Sequence, residues 1–222
     1  MWEDLRIFFG EFCRRHYTTG AIVPSGRLLA AALARYVAEP GCEGRRILEV
    51  GPGTGAVTRR IISVMRPDDH LDLVELNERF VARLQALFHT DPVFRRAAAR
   101  SRIFHCPVET LAGHDQYDLI VSGLPLNNFP PDTVENILCV MSRLLKPGGT
   151  LSFFQYIALR AMRMAVSRQA QRQRLRGVRA AIQKLLDGQE IRRDWIWLNV
   201  PPAWVHHVRL SKNILNGSHP DP

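Results

Sequence analysis

The spacing of apolar and polar positions predicts strands alternating with helices through the middle of the chain. Arg45–Val50 is a short apolar run that reads as a first strand and ends in a glycine turn, Gly51–Gly55. Ala56–Met65 has helical periodicity and is closed by Pro67-Asp68. His70–Leu76 reads as a second strand, and Asn77 is placed to cap a helix that runs to about His89. Strands follow at about Arg102–Cys106 and at Tyr117–Ser122. Asp132–Leu145 carries the apolar stripe of a helix, Pro147-Gly148-Gly149 stops it, and Thr150–Tyr156 is a fifth strand. Elements alternating in this way predict a parallel sheet with helices on both faces.

Both ends depart from the alternation. Residues 2–16 gather Trp2, Leu5, Phe8, Phe9 and Phe12 on one side of an amphipathic helix, and a second helix runs from an N-cap at Ser25 to about Ala38. A long basic helical stretch covers about 158–186. Two strands then follow, Ile191–Val200 and Ala203–Leu210, with only Pro201-Pro202 between them, as in an antiparallel pair. The expected fold is α/β: a seven-stranded, mostly parallel sheet with a terminal antiparallel hairpin and additional N-terminal helices. Residues 1–222 are expected to form a single domain, with 1–40 a helical extension, 45–210 the core and 211–222 a frayed polar tail.

Composition narrows the function classes. A chain of 222 residues that is 46% apolar suits a globular protein with a well-buried core. No apolar run approaches the roughly 20 residues that span a bilayer. Met1-Trp2-Glu3-Asp4 lacks a signal-peptide layout, and Cys13, Cys42, Cys106 and Cys139 are scattered without metal-ligand spacing. The expectation is a cytoplasmic protein with no metal site. A net charge of +9 favours a polyanionic partner, and nucleic acid and an anionic membrane leaflet both qualify.

The strongest chemical signal is Glu49-Val50-Gly51-Pro52-Gly53-Thr54-Gly55. Glycines turn the backbone tightly off a strand and admit a ligand to close contact. The spacing is G-x-G-x-G. A dinucleotide site wants a glycine where Ala56 stands, and no Gly-Lys-Ser/Thr follows to make a phosphate loop. Glu49 would repel a pyrophosphate but can reach the ammonium of a methionine moiety. Glu75, twenty residues after Gly55, is placed to accept both ribose hydroxyl protons, with Leu76 beside it. The pattern points to S-adenosylmethionine, with S-adenosylhomocysteine as product, on a Rossmann-like sheet. Pro107 stands where an acid against the adenine amino group is usual, so either the Val108 backbone or Glu109 is expected there. Ser122 and Gly123 complete the expected cofactor site.

The acceptor loop after the fourth strand reads Ser122-Gly123-Leu124-Pro125-Leu126-Asn127-Asn128-Phe129. Enzymes that methylate the adenine amino group carry Asn-x-Pro-Tyr there, to bond and stack a flipped base. Gly123 and Leu126 occupy those two places here, which counts against a base as substrate. With this loop, the chain resembles the soluble-type bacterial phospholipid N-methyltransferases, which methylate phosphatidylethanolamine. The blocks that carry the resemblance are Thr19–Ser25, Glu49–Gly55, Val74–Asn77, Ser122–Phe129 and Asn199–Ala203. The resemblance implies stepwise transfer of up to three methyl groups, ending at phosphatidylcholine. It also implies an enzyme peripheral to the inner face of the cytoplasmic membrane.

Carbonyls of Gly123 and Leu124, or the side chains of Asn127 and Tyr156, are candidates to orient the amine, and Tyr17 to close the site. His16, His105 and His206 are eligible bases by pKa, and none stands out. The basic stretch, which includes Arg168, Arg172, Arg176 and Arg179, suits an anionic leaflet. The 2–16 helix either lies in the membrane interface or covers the core. The alternative substrate is rRNA adenine, since phosphate backbones attract the same cations. A third reading is a membrane-associated module that keeps a cofactor fold without catalysis.

Overall fold

The computed structural model describes residues 24–41, 44–157, 169–199 and 201–209. The chain begins there with helices α1 (Pro24–Leu33) and α2 (Arg35–Ala38), then β1 (Arg46–Val50), α3 (Ala56–Val64), β2 (His70–Glu75) and α4 (Glu78–Thr90). A short helix α5 (Pro92–Arg95) precedes β3 (Ser101–His105), β4 (Tyr117–Ser122), α6 (Pro131–Leu144), β5 (Leu145–Tyr156), α7 (Gln169–Leu186), β6 (Glu190–Ile196) and β7 (Ala203–Arg209). The seven strands form one sheet in the order β3-β2-β1-β4-β5-β7-β6. Strands β1 to β5 are parallel, and β7 runs antiparallel to both β5 and β6. β6 therefore points the same way as β5, and the ends of β1, β4, β5 and β6 share one edge.

Alternation along the strands divides the core into two layers. Leu48, Val50, Ile120, Leu151 and Phe153 meet Ile137 and Met141 of α6 and Val178 and Ile182 of α7. On the other face Ile47, Leu73, Leu119, Phe154 and Val205 meet α1 and α2, Ile61 of α3 and Leu84 of α4. Burial on both faces is why β1 and β4 read as nearly unbroken apolar runs.

The amino edge of the sheet is tied by ion pairs. The Arg45 guanidinium donates to both carboxylate oxygens of Asp69, at 3.1 and 2.7 Å, and to the Val37 carbonyl at 2.9 Å. Asp72 accepts from Arg46, Arg102 and the Tyr117 hydroxyl. Asp118 accepts from Lys146 at 2.8 Å.

The structure differs from the sequence expectation at several boundaries. β5 starts at Leu145 because Pro147–Gly149 are absorbed in a register shift between the Tyr117 and Leu119 pairings, and do not break the strand. The short helix α5 was not expected; the Asp91 side chain caps it by accepting from the amides of Val93 and Phe94. β6 ends at Ile196, not at Val200, since the Asn199 amide turns back to the Ile196 carbonyl at 3.3 Å and Asn199 Nδ2 donates to the Pro201 carbonyl at 2.7 Å. The helix of residues 2–16, the first part of the basic stretch and the tail 211–222 lie outside the described residues. Among the described residues no helix is long and apolar enough to cross a membrane.

Candidate cofactor and acceptor site

β1 ends in the Gly51–Gly55 turn, where all three glycines hold positive φ: 71°, 55° and 86°. That conformation favours glycine, but the absent side chains serve different ends. A Cβ on Gly51 would stand 2.5 Å from Leu124 Cδ2, whereas one on Gly53 would meet nothing within 4 Å. A Cβ on Gly55 would press on Leu87, Phe94 and Leu84 at 3.1–3.3 Å, so this glycine lets α3 settle onto α4 and α5. Of the three, Gly53 is the one whose missing side chain leaves open space. Gly123 serves packing as well, because its Cβ would lie 2.5 Å from the Gly51 carbonyl oxygen. The Gly123 amide donates to the Val50 carbonyl at 2.8 Å, and the Ser122 hydroxyl accepts the Leu124 amide at 3.3 Å. Ser122 and Gly123 thus fix the start of the acceptor loop against the glycine turn.

A crevice opens beside that contact. Gly51, Glu75, Leu76, Val108 and Glu109 of the expected set line it, so both readings of the adenine contact are placed at the crevice. Leu124 and Phe129 of the expected acceptor loop line it as well, and Cys106 and Ile137 join them as residues outside the expected site. Phe129 closes the loop as a buried aromatic, a signal available in the sequence. Ile137 arrives from α6 through tertiary packing, which no local pattern reports.

The two acids at this edge have no arginine partner among their hydrogen bonds, in contrast to the amino edge. Glu75 accepts the Gly53 amide at 3.0 Å on one oxygen and the Asn77 amide at 2.8 Å on the other. Burial raises its pKa, and those amides hold the rise back. Glu49 is fully buried, and neither carboxylate oxygen has a hydrogen-bond partner. Desolvation pushes its pKa to about 8, and the nearby charge of Glu75 adds to the rise. The neighbouring Thr58 tempers the rise, although its hydroxyl falls short of hydrogen-bonding geometry. A buried carboxylate without a partner is expensive and calls for a cation or a donor. S-adenosylmethionine would suit this arrangement: Glu49 would answer its ammonium, Glu75 would offer lone pairs to ribose hydroxyls, and open space at Gly53 would admit close approach, although Glu49, Gly53, Gly55, Ser122 and Gly123 do not themselves line the crevice.

On the other side of the Leu124–Phe129 segment lies a second cavity, between α7 and the β5-β7-β6 end of the sheet. Asn127, Gln155, Arg179, Arg193, Trp204 and His206 are among its walls. Asn127 is held by its neighbours: Gln155 Nε2 donates to its Oδ1 at 3.4 Å, and its Nδ2 donates to the Tyr156 carbonyl at 3.5 Å. Gln155 Oε1 faces His206 Nε2 at 3.0 Å, and His206 Nδ1 faces Glu190 at 2.6 Å. Burial lowers the His206 pKa against the pull of Glu190. His206 is thus a member of a positioning chain behind Asn127. The Tyr156 ring packs edge-on to Phe154 on the opposite sheet face, and burial raises its pKa. His105 is exposed, with Nε2 3.2 Å from the Leu76 carbonyl. Tyr17 and His16 lie outside the described residues.

Comparison with known proteins agrees with this geometry. A family described as "Methyltransferase domain" matches residues 47–149. An ornithine lipid N-methyltransferase of Singulisphaera acidiphila is 27% identical over 150 residues, which cover 68% of this chain and 77% of that protein. Ribosomal RNA small subunit methyltransferase A of a Synechococcus species is 35% identical over 85 residues, 38% of this chain and only 29% of that protein. Among solved structures, Burkholderia thailandensis 1,6-didemethyltoxoflavin-N1-methyltransferase, with bound 1,6-didemethyltoxoflavin and S-adenosylhomocysteine, shares the fold. Its TM-score is 0.65 at 18% identity, over 94% of this chain and 88% of that one. Residues 47–149 therefore match a methyltransferase domain, on a sheet with the fold of a methyltransferase that holds S-adenosylhomocysteine.

Proposed function

We propose that the chain methylates the amino head group of a membrane lipid, with phosphatidylethanolamine and its methylated intermediates as acceptors and phosphatidylcholine as the end product. The observation that carries this reading is the packing of Gly123 on Gly51. The place where adenine-methylating enzymes present an asparagine side chain is filled here by a backbone carbonyl 2.5 Å from any Cβ. No side-chain acceptor for a base amino group fits there. The relative named as an ornithine lipid N-methyltransferase supports an amino lipid as the acceptor class.

The cofactor supplies an electrophilic methyl group on a sulfonium. The task of the chain is to align an amine lone pair with that methyl and to keep water away. Leu124, Leu126 and Phe129 are buried and supply a dry wall. Asn127, fixed by Gln155, and the loop carbonyls orient the amine, which arrives as an ammonium and gives up a proton before attack. Arg179, among the walls of the second cavity, would meet the anionic group that an amino lipid carries beside its amine. An enzyme with this acceptor works at the inner face of the cytoplasmic membrane without spanning it.

The test is incubation with labelled S-adenosylmethionine and phosphatidylethanolamine vesicles, ornithine lipid vesicles or rRNA. Label in phosphatidylethanolamine is expected. Label in ornithine lipid alone would move the acceptor within the amino lipids, and label in rRNA alone would overturn the reading. The Asn127→Ala variant is expected to lose most methyl transfer while binding the cofactor as before.

A further inference from the structure

The largest apolar exposures among the described residues fall together at the β6–β7 turn. Trp195 is 50% exposed, Trp197 62% and Leu198 75%. Trp195 stacks on Trp197 with centroids 5.2 Å apart and meets Trp204 edge-on at 5.4 Å. This is a rigid aromatic projection held in place from behind. Together these side chains expose on the order of 300–400 Å² of apolar surface, the size of patch that on soluble proteins marks a contact site.

Topology places the projection at the working edge of the sheet. Ile196 pairs with Ala203, and Ala203 pairs with Tyr156, at the carboxyl end of β5. Ser122, where the acceptor loop starts, is level with Phe153, three residues earlier on β5. Trp197 and Leu198 therefore stand roughly 10 Å further out than Ser122, at about 3.3 Å per strand residue. Three strand spacings separate β6 from β4, about 15 Å sideways. A flat surface touching the turn would face the acceptor loop.

The charge around this edge selects the kind of surface. α7 follows β5 and ends next to the start of β6, so its first half lies toward the carboxyl edge, with Arg176 exposed on that half and Arg179 exposed just past it. Arg27 and Leu28 are exposed near the start of α1, the end of that helix remote from the amino edge. Tryptophan prefers the membrane–water interface, and arginine prefers an anionic leaflet.

We propose that the β6–β7 turn is a membrane-insertion point: Trp197 and Leu198, backed by Trp195, enter the interface of an anionic bilayer and hold the carboxyl edge of the sheet against it. This rests on the amino-lipid reading for its purpose but not for its test. The full chain and the Trp197→Ser/Leu198→Ser variant are compared by flotation with vesicles of phosphatidylethanolamine and phosphatidylglycerol, with cofactor affinity as the control for folding. The variant is expected to partition at least roughly tenfold more weakly, with unchanged affinity for S-adenosylmethionine. It should lose methylation of vesicle lipid but keep methylation of a short-chain, monomeric phosphatidylethanolamine. Partitioning equal to wild type would overturn the proposal. So would a wild-type chain that ignores vesicles, or a variant that turns a dimer into a monomer without weaker vesicle binding, the mark of a self-association face. Loss of vesicle binding in a protein that methylates no lipid would keep the insertion point and refute the acceptor reading instead.

Discussion

Replacing Glu49 by glutamine removes an ionisable group from a site where the folded chain resists ionising it. The buried carboxyl keeps its proton up to about pH 8, whereas its ordinary value is 4.5. Between those values the folded state binds the extra proton, so unfolding free energy falls as pH rises, by about 1.4 kcal/mol per unit. Over the whole window the loss is about 5 kcal/mol, or roughly 10–20 °C in melting temperature for a chain of this size. Glu49→Gln cannot ionise and lacks that loss, so its stability relative to wild type should climb steadily from pH 5 to 8 and level off above. Urea denaturation across that range measures the difference. Bound cofactor should reverse the preference, because its ammonium favours the carboxylate. Binding to wild type should release a proton below pH 8, seen as a calorimetric enthalpy that varies with buffer, and binding to Glu49→Gln should not. Parallel stability curves for the two proteins, together with proton-neutral binding, would refute the assignment of Glu49 as the group waiting for that cation.

Three other outcomes are expected. Glu75→Ala deprives two ribose hydroxyls of their acceptor and leaves the Gly53 amide without its partner, so titration calorimetry should find cofactor binding weaker by about 100-fold; an unchanged Kd would remove Glu75 from the site. Gly51→Ala combines positive φ with a clash on Leu124 and should cost about 3 kcal/mol in urea unfolding, whereas Gly53→Ala meets open space and should cost about 1 kcal/mol; the reverse order would contradict the packing described. Asp69→Asn leaves the Arg45 guanidinium buried without its counter-ion and should cost about 3–5 kcal/mol at pH 7. Although burial opposes it, Arg45 and the Arg66 amide hold the Asp69 pKa below 3.8. Its stabilisation is therefore present above that value and lost as pH falls through the folded pKa, so the gap between the two proteins should narrow in acid melts.

The parallel part of the sheet was legible because its strands are short apolar runs punctuated by Gly, Pro and Asn, and punctuation is local. Tyr117–Ser122 fell at its observed bounds for that reason. Glu49 and Glu75 were legible as chemistry, since an acid at a fixed interval from a glycine turn needs no tertiary information. The same letters could not say which glycine leaves open space. Gly53 does so, while Gly55 and Gly123 are consumed by contacts with residues far along the chain. The end of β6 is hidden in the sequence because Trp197-Leu198-Asn199 continues a strand-like composition, and only the Asn199 bonds reveal the turn. The second cavity was invisible for a related reason: Asn127, Gln155, Arg179 and His206 come from four separate elements.

Because Gly51 and Gly123 abut through backbone atoms, neither position is free to vary alone, and the two behave as a single hinge pin between cofactor turn and acceptor loop. Efforts to redirect the catalyst toward other acceptors should leave that pin untouched and diversify residues 124–129. There each exchanged side chain reshapes a partition shared by both cavities. Libraries built that way would change acceptor choice and cofactor grip together, and a screen scoring only one of them would discard variants in which the second had compensated.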